Sequence, residues 1–151
     1  MLRDEINDAL KTAIKAKEAR RTGTLRLVLA ALKDRDIADR AKERAEGISD
    51  DEILQMLQTM VRQRRESIEM YEKGRREDLA RQEAEEIGVI EEFLPRQMSE
   101  AEIEGAVKEA IAEIGATGLK DMGRTMAALK ERCAGRMDFA KASSIVKGQL
   151  S

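Results

Sequence analysis

The chain has no histidine, one cysteine and no tryptophan, so any chemistry would fall to carboxylates, amines, guanidinium groups and a single thiol. Without imidazole there can be no Ser–His or Cys–His dyad, no histidine base and no imidazole-ligated metal. Cys133 falls in the series Met122, Met126, Leu129, Cys133, where a small buried hydrophobe is the expected role rather than a nucleophile. The acids alternate with basic residues, which predicts solvated i to i+4 pairs such as Arg62–Glu66, Arg65–Glu69 and Glu72–Arg76. No acidic group has the spacing of a metal loop, and no glycine motif would cradle a phosphate chain. No catalytic residue, metal or cofactor is therefore expected of this chain by itself.

One stretch could hold an anion. Asp121 is placed to cap a helix, Gly123 follows two positions on, and Lys120 and Arg124 lie one turn apart. A helix start offers free N–H groups and the positive end of a dipole, and Gly123 would let a phosphate approach the backbone. Arg136, Lys141 and Lys147 add positive charge nearby in sequence. The alternative for the same residues is ordinary capping with solvated charges. The three aromatic residues, Tyr71, Phe93 and Phe139, all sit on apolar stripes. Stacking on unpaired bases is thus not expected, and any RNA contact should be to phosphates and overall shape.

These side chains must be positioned by helices. Residues 51–98 read as two long amphipathic helices meeting near Gly74 and stopped by the only proline, Pro95. Ile53, Leu57, Met60, Val61, Ile68 and Tyr71 form one stripe, and Leu79, Ile87, Ile90 and Leu94 form its counterpart. Arg64 interrupts the first stripe and Glu83 the second, at matching distances from the turn, which predicts an Arg64–Glu83 ion pair inside the hairpin. The alternative is that Arg64 lays its stem on the stripe and reaches water. Before this hairpin, a helix over residues 2–19 and a second from about 25 are expected to break at Gly23, with Thr22 or Thr24 as cap. The second buries Leu25, Val28, Leu29 and Leu32, projects or frays beyond Ile37, and ends at Gly47. Ser49 with Glu52, and Ser99 with Glu102, repeat a capping box flanked by a hydrophobic staple. Three short helices, near 100–114, 122–134 and 138–150, complete the chain.

The composition agrees: 38% charged and 2% aromatic residues suit an all-α protein with an aliphatic core. The expected architecture is an N-terminal helical domain over 1–94 containing the long hairpin, a hinge at 95–98, and a three-helix domain over 99–151. No apolar run approaches the roughly 20 residues that span a bilayer. The N-terminus lacks a signal-peptide core and one cysteine suits a reducing compartment, so a cytoplasmic location is expected. Charge is segregated: residues 11–26 are basic, 77–92 acidic, 99–114 acidic and 119–151 basic. The net charge of −2 argues against indiscriminate nucleic-acid binding but leaves room for local patches.

Three stretches, TLRLVLAALKD at 24–34, QRRESIEMYEKGRREDLARQEAEEIGVIEEFLPRQMS at 63–99 and MGRTMAALKERCAGRMDFAKASSIVKGQL at 122–150, resemble the YqeY-like (GatB/YqeY) family. The resemblance runs from about residue 3 to 150. It implies a larger helical domain followed by a three-helix one, similar to the helical tail of the GatB component of aspartyl/glutamyl-tRNA amidotransferase. That enzyme is a carbon–nitrogen ligase that amidates misacylated tRNA with glutamine as nitrogen donor. Its tail contacts tRNA, and its chemistry resides in a separate domain that has no counterpart here. The family tends to read GRADG where this sequence has Gly135, Arg136, Met137, Asp138 and Phe139, which puts a flexible turn there in doubt.

The resulting expectation is a tRNA-binding or accessory module related to tRNA-dependent amidation, with no catalytic site of its own. Its partners would be tRNA or the amidation machinery, with no membrane and no DNA. A protein–protein adaptor using the acidic face of 77–92 is the alternative, and a carbon–nitrogen ligase acting by itself comes third.

Overall fold

The computed structural model describes residues 1–40 and 46–151. Among these the protein is all-helical: α1 (Leu2–Lys15), α2 (Ala19–Arg40), α3 (Asp50–Lys73), α4 (Glu77–Glu91), α5 (Glu100–Ile114), α6 (Met122–Arg132) and α7 (Phe139–Leu150), with a 3-10 turn at Leu119–Asp121. The chain divides into two compact units, Met1–Leu94 and Pro95–Ser151.

In the first unit α3 and α4 form the hairpin, and α1 and α2 pack on it. Ile6, Leu25, Val28, Ile53, Met56, Leu57 and Ile90 are buried together. The hairpin turn differs in detail from expectation. Gly74 has φ −84°, whereas Arg75 takes the left-handed conformation at φ 56°. Arg76 then pairs with Asp78, 3.2 Å away, in place of Glu72.

The break between the first two helices also lies elsewhere. α1 ends at Lys15, Lys17 takes φ 58°, and α2 is already under way at Ala19. Gly23 is therefore inside α2, and a Cβ added to it would meet nothing within 4 Å. Thr22 and Thr24 are buried helical residues instead of caps, and the Thr24 hydroxyl donates to the carbonyl of Arg20. Glycine costs a helix only about 1 kcal/mol, less than burying Thr22, Leu25 and Val28 returns, so the helix runs through it. Helical order is described as far as Arg40, where Asp39 is buried. The end of that helix, before Gly47, falls at 41–45, outside the described residues.

A polar cluster joins α1, α2 and the start of α3. The Arg3 guanidinium forms two hydrogen bonds to the Asp36 carboxylate, one of them 3.0 Å long, and a third to the carbonyl of Ile48. Asp36 also accepts from Ile48 N–H at 3.0 Å, and Asp50 accepts from Leu2 N–H at 3.3 Å. Arg3 holds the Asp36 carboxyl below the usual carboxylate range, and the Arg3 pKa rises in turn. Gly47, at φ 81°, lies so close that a Cβ would collide with that carboxylate. Both capping boxes form, with Ser49 accepting from Glu52 N–H and Ser99 from Glu102 N–H, each at 3.2 Å.

The second unit packs α5, α6 and α7 around Ile103, Val107, Leu129, Met137, Ala142 and Val146. α5 ends at Gly115 in the left-handed conformation, φ 71°, so that the Ile111 carbonyl accepts from both Gly115 N–H and Ala116 N–H. Gly135, at φ 76°, supplies the turn into α7. Asp138 caps α7, accepting from Ala140 N–H at 3.0 Å and Lys141 N–H at 3.3 Å. Phe139 is thus an ordinary first residue of a helix, and Met137 before it is fully buried.

Candidate nucleic-acid interface

The anion-binding expectation rested on a capped, open start to α6. Asp121 does stand just before that helix, but its side chain makes no cap hydrogen bond. It turns back instead. The carboxylate accepts from Thr117 N–H at 2.9 Å and from the Arg124 guanidinium at 2.7 Å. These two bonds, the backbone one foremost, pull the Asp121 pKa down to about 2. The residue is only 7% exposed and pins the 116–118 loop against α6. Thr125, wholly buried, donates to the Asp121 carbonyl at 2.9 Å. The 3-10 turn also uses part of the helix start, since Met122 N–H donates to the Leu119 carbonyl.

This latch changes the charge available to a ligand. Arg124 is exposed, yet it is already paired to a carboxylate at the helix start where a phosphate would sit. Lys120 is exposed and forms no ion pair among the described residues, and the backbone at Gly123 faces open space. Arg136 lies beyond the far end of α6. Its carbonyl accepts from Met98 N–H at 2.8 Å, and its guanidinium donates to the Arg132 carbonyl at 3.1 Å. Eleven helical residues separate the two places, about 16 Å at 1.5 Å per residue. α7 follows the Arg136 turn and touches the 3-10 turn. Its exposed Lys141 therefore lies toward the Arg136 end and its exposed Lys147 toward the Lys120 end. The six basic and glycine candidates fall into two groups, one at each end of the α6–α7 pair.

A groove between α5 and α6 was not anticipated. It encloses about 450 Å³, with Ala106, Leu129 and Cys133 in its lining and Glu109, Arg132 and Arg136 among its charged residues. Cys133 itself is a buried free thiol. The only hint in the sequence was the small pair Gly105 and Ala106 on α5.

In the first unit Arg64 lies between two acids. Its Nε donates to Glu86 at 2.9 Å and stands 3.9 Å from Glu83. Glu86 is the close partner that reasoning from the stripe missed, since it lies one turn further from the hairpin bend. Burial, and then the neighbouring Glu86 charge, hold the Glu83 carboxyl above its usual range despite Arg64. The segregated charges meet each other within this unit: Arg20 of α2 pairs with Glu85 on α4, and Arg21 with Glu92 just past the end of α4.

Residues 3–150 match the Yqey-like protein family. The chain belongs to that family. Among curated proteins, a Lachancea thermotolerans relative named altered inheritance of mitochondria protein 41, mitochondrial, is 33% identical over 107 residues, covering 70% of this chain and 55% of its own. A Kluyveromyces lactis protein of the same name is 33% identical over 84 residues, covering 56% of this chain and 43% of its own. This Yqey-like chain thus spans about half the length of the curated relatives it matches. Among the described residues, no helix is long and apolar enough to cross a membrane.

Proposed function

We propose that this Yqey-like protein is a tRNA-binding or accessory module of tRNA-dependent amidation that works without a catalytic site of its own. The observation that carries the reading is the row of exposed basic side chains on the α6–α7 pair. Lys120, Lys141 and Lys147 form no ion pair among the described residues, while two of the three acids of the pair are engaged elsewhere, Asp121 in its latch and Asp138 in a cap; the third, Glu131, is exposed on α6. Two positive groups about 16 Å apart suit a ligand with regularly spaced phosphates and a defined shape better than a single small anion. Tyr71, Phe93 and Phe139 are all partly buried, which favours backbone contact over base stacking. Placement in the cytoplasm belongs to the same proposal; the two yeast relatives are mitochondrial by name.

The adaptor reading draws less support, because much of its acidic face is already paired within the chain. Of the seven acids in 77–92, Asp78, Glu83, Glu85, Glu86 and Glu92 are paired within the chain. Ligase activity of the chain alone would be established by glutamine- and ATP-dependent amidation, and no arrangement of residues described above supports it.

The test is a titration with tRNA at low and moderate salt. Binding should weaken steeply as salt rises, and each phosphate-contacting lysine removed should lower the salt slope by about one. The variants of choice are Lys120→Glu, Lys141→Glu and Lys147→Glu, because replacing Arg124 would also open the Asp121 latch. No binding at low salt, or full affinity in the triple variant, would remove the reading.

A further inference from the structure

α2 is apolar on two sides. Leu25, Val28 and Leu32 are buried in the first unit. At about 100° per residue, Gly23, Leu27, Ala30, Asp34 and Ile37 fall near a single line on the opposite side. All five are exposed, and Leu27 and Ile37 retain 50% and 52% of their surface. Gly23 and Ala30 are small and lie seven residues apart, with Ile37 seven further on. An added Cβ at Gly23 meets nothing, so the helix backbone there is open to close approach. Scattered exposed leucines need no explanation, but a stripe at heptad spacing on a helix that already has a packed face does.

The flank of this stripe says what covers it. Arg26, Lys33 and Arg40 are also spaced by seven residues, all exposed, and form a single basic rail beside Gly23, Ala30 and Ile37. None of the three forms an ion pair among the described residues, unlike Arg20 and Arg21 on the same helix, which are engaged by Glu85 and Glu92. A nucleic acid would use the rail but leave Leu27 and Ile37 in water. A second copy in twofold contact would bring the rail against itself, since an antiparallel helix pair sets like flanks together.

We propose that this face of α2 docks an amphipathic helix of a protein partner. The partner's apolar stripe is bordered by carboxylates at seven-residue spacing. Its large apolar side chains sit over Gly23 and Ala30, Leu27 and Ile37 close against them, and the carboxylates pair with Arg26, Lys33 and Arg40. Asp34, the one acid on the stripe, sets the register by taking a single donor from the partner. The mode is helix-in-groove recognition, with the small residues as the groove. This surface uses none of the basic side chains of α6 and α7, so it stands or falls apart from the tRNA reading.

The probe is a labelled helical peptide of about 21 residues, three heptads, with leucine on its stripe and glutamate on the facing flank. A peptide with lysine in place of the glutamates is the control. The full chain is expected to bind the glutamate peptide at least tenfold more tightly. Lys33→Glu should lower that affinity about tenfold and restore binding of the lysine peptide. Leu27→Ser should abolish binding of both while leaving the helical circular dichroism unchanged. Equal binding of the two peptides, or binding of neither, overturns the proposal, as does full affinity in the Leu27→Ser variant. Dimerisation of the free chain that Leu27→Ser abolishes would assign the face to a second copy. Binding of tRNA or anionic vesicles that depends on Lys33 but not on Leu27 would assign the rail to a polyanion; either result overturns it.

Discussion

Asp121 shows how far one side chain can depart from the role its position suggests. Its place before a helix of basic and small residues reads as a cap, but the carboxylate takes Thr117 N–H and Arg124 instead. The signal for that choice lay outside the motif, in the 3-10 turn that occupies the helix start. Because its folded pKa is about 2, below the ordinary carboxylate value, its contribution to stability is present above that ordinary value and is lost as the pH falls toward 2. Asp121→Ala is expected to lower the melting temperature at pH 7 and to speed hydrogen exchange at Thr117 N–H, with the gap from the parent chain narrowing near pH 2. Arg64 gives a second case. The sequence placed an acid opposite it, and the helix geometry chose Glu86 as hydrogen-bond partner with Glu83 alongside. Glu86→Ala should cost about 1.5–3 kcal/mol, as for a hydrogen bond to a charged group, whereas the Arg64–Glu83 coupling in a double-mutant cycle should stay below about 1 kcal/mol. Glu83, with a raised pKa, favours the folded state below the normal glutamate pKa, and that favour is lost as the pH rises through the folded value.

At the scale of elements, what the sequence made legible was whatever local chemistry decides. Both capping boxes, the hairpin stripes and the stop before Pro95 follow from side chains within a few residues of each other. Ser49→Ala and Ser99→Ala should each cost about 1 kcal/mol in denaturant unfolding. What was not legible was settled by packing at a distance. Gly23 reads as a helix break, but the buried side of α2 holds the helix through it, and the chain turns at Lys17 instead. The same fact predicts that Gly23→Ala stabilises the protein by about 0.5–1 kcal/mol, because the new methyl meets no neighbour. Lys17→Gly should also stabilise, by removing strain from a left-handed position. The Arg3–Asp36 cluster was equally hidden, since it joins residues 33 apart in the chain. Asp36→Ala should cost about 1.5–3 kcal/mol, as losing hydrogen bonds to a charged group in a half-buried pair does.

For the molecule as a whole, segregated charge reads differently once folded. Basic 11–26 and acidic 77–92 suggested attraction to other molecules, yet Arg20 and Arg21 spend that attraction on Glu85 and Glu92. The α2 rail and Lys120, Lys141 and Lys147 are among the described cations that form no ion pair, and the partner-binding proposals rest on their grouping. Each unit has its own core. Leu57→Ala and Leu129→Ala should each cost about 2–5 kcal/mol, read separately from hydrogen exchange of α3 in one unit and of α5 in the other.

The burial of Cys133 gives the protein a built-in gauge. Cys133 is 5% exposed and lines the α5–α6 groove, so its sulfur is fully reached only when α5 and α6 part, and there is no other thiol to confuse the signal. The rate of alkylation in the folded chain, set against that in denaturant, therefore reports how strongly this packing protects the thiol, with no residue changed.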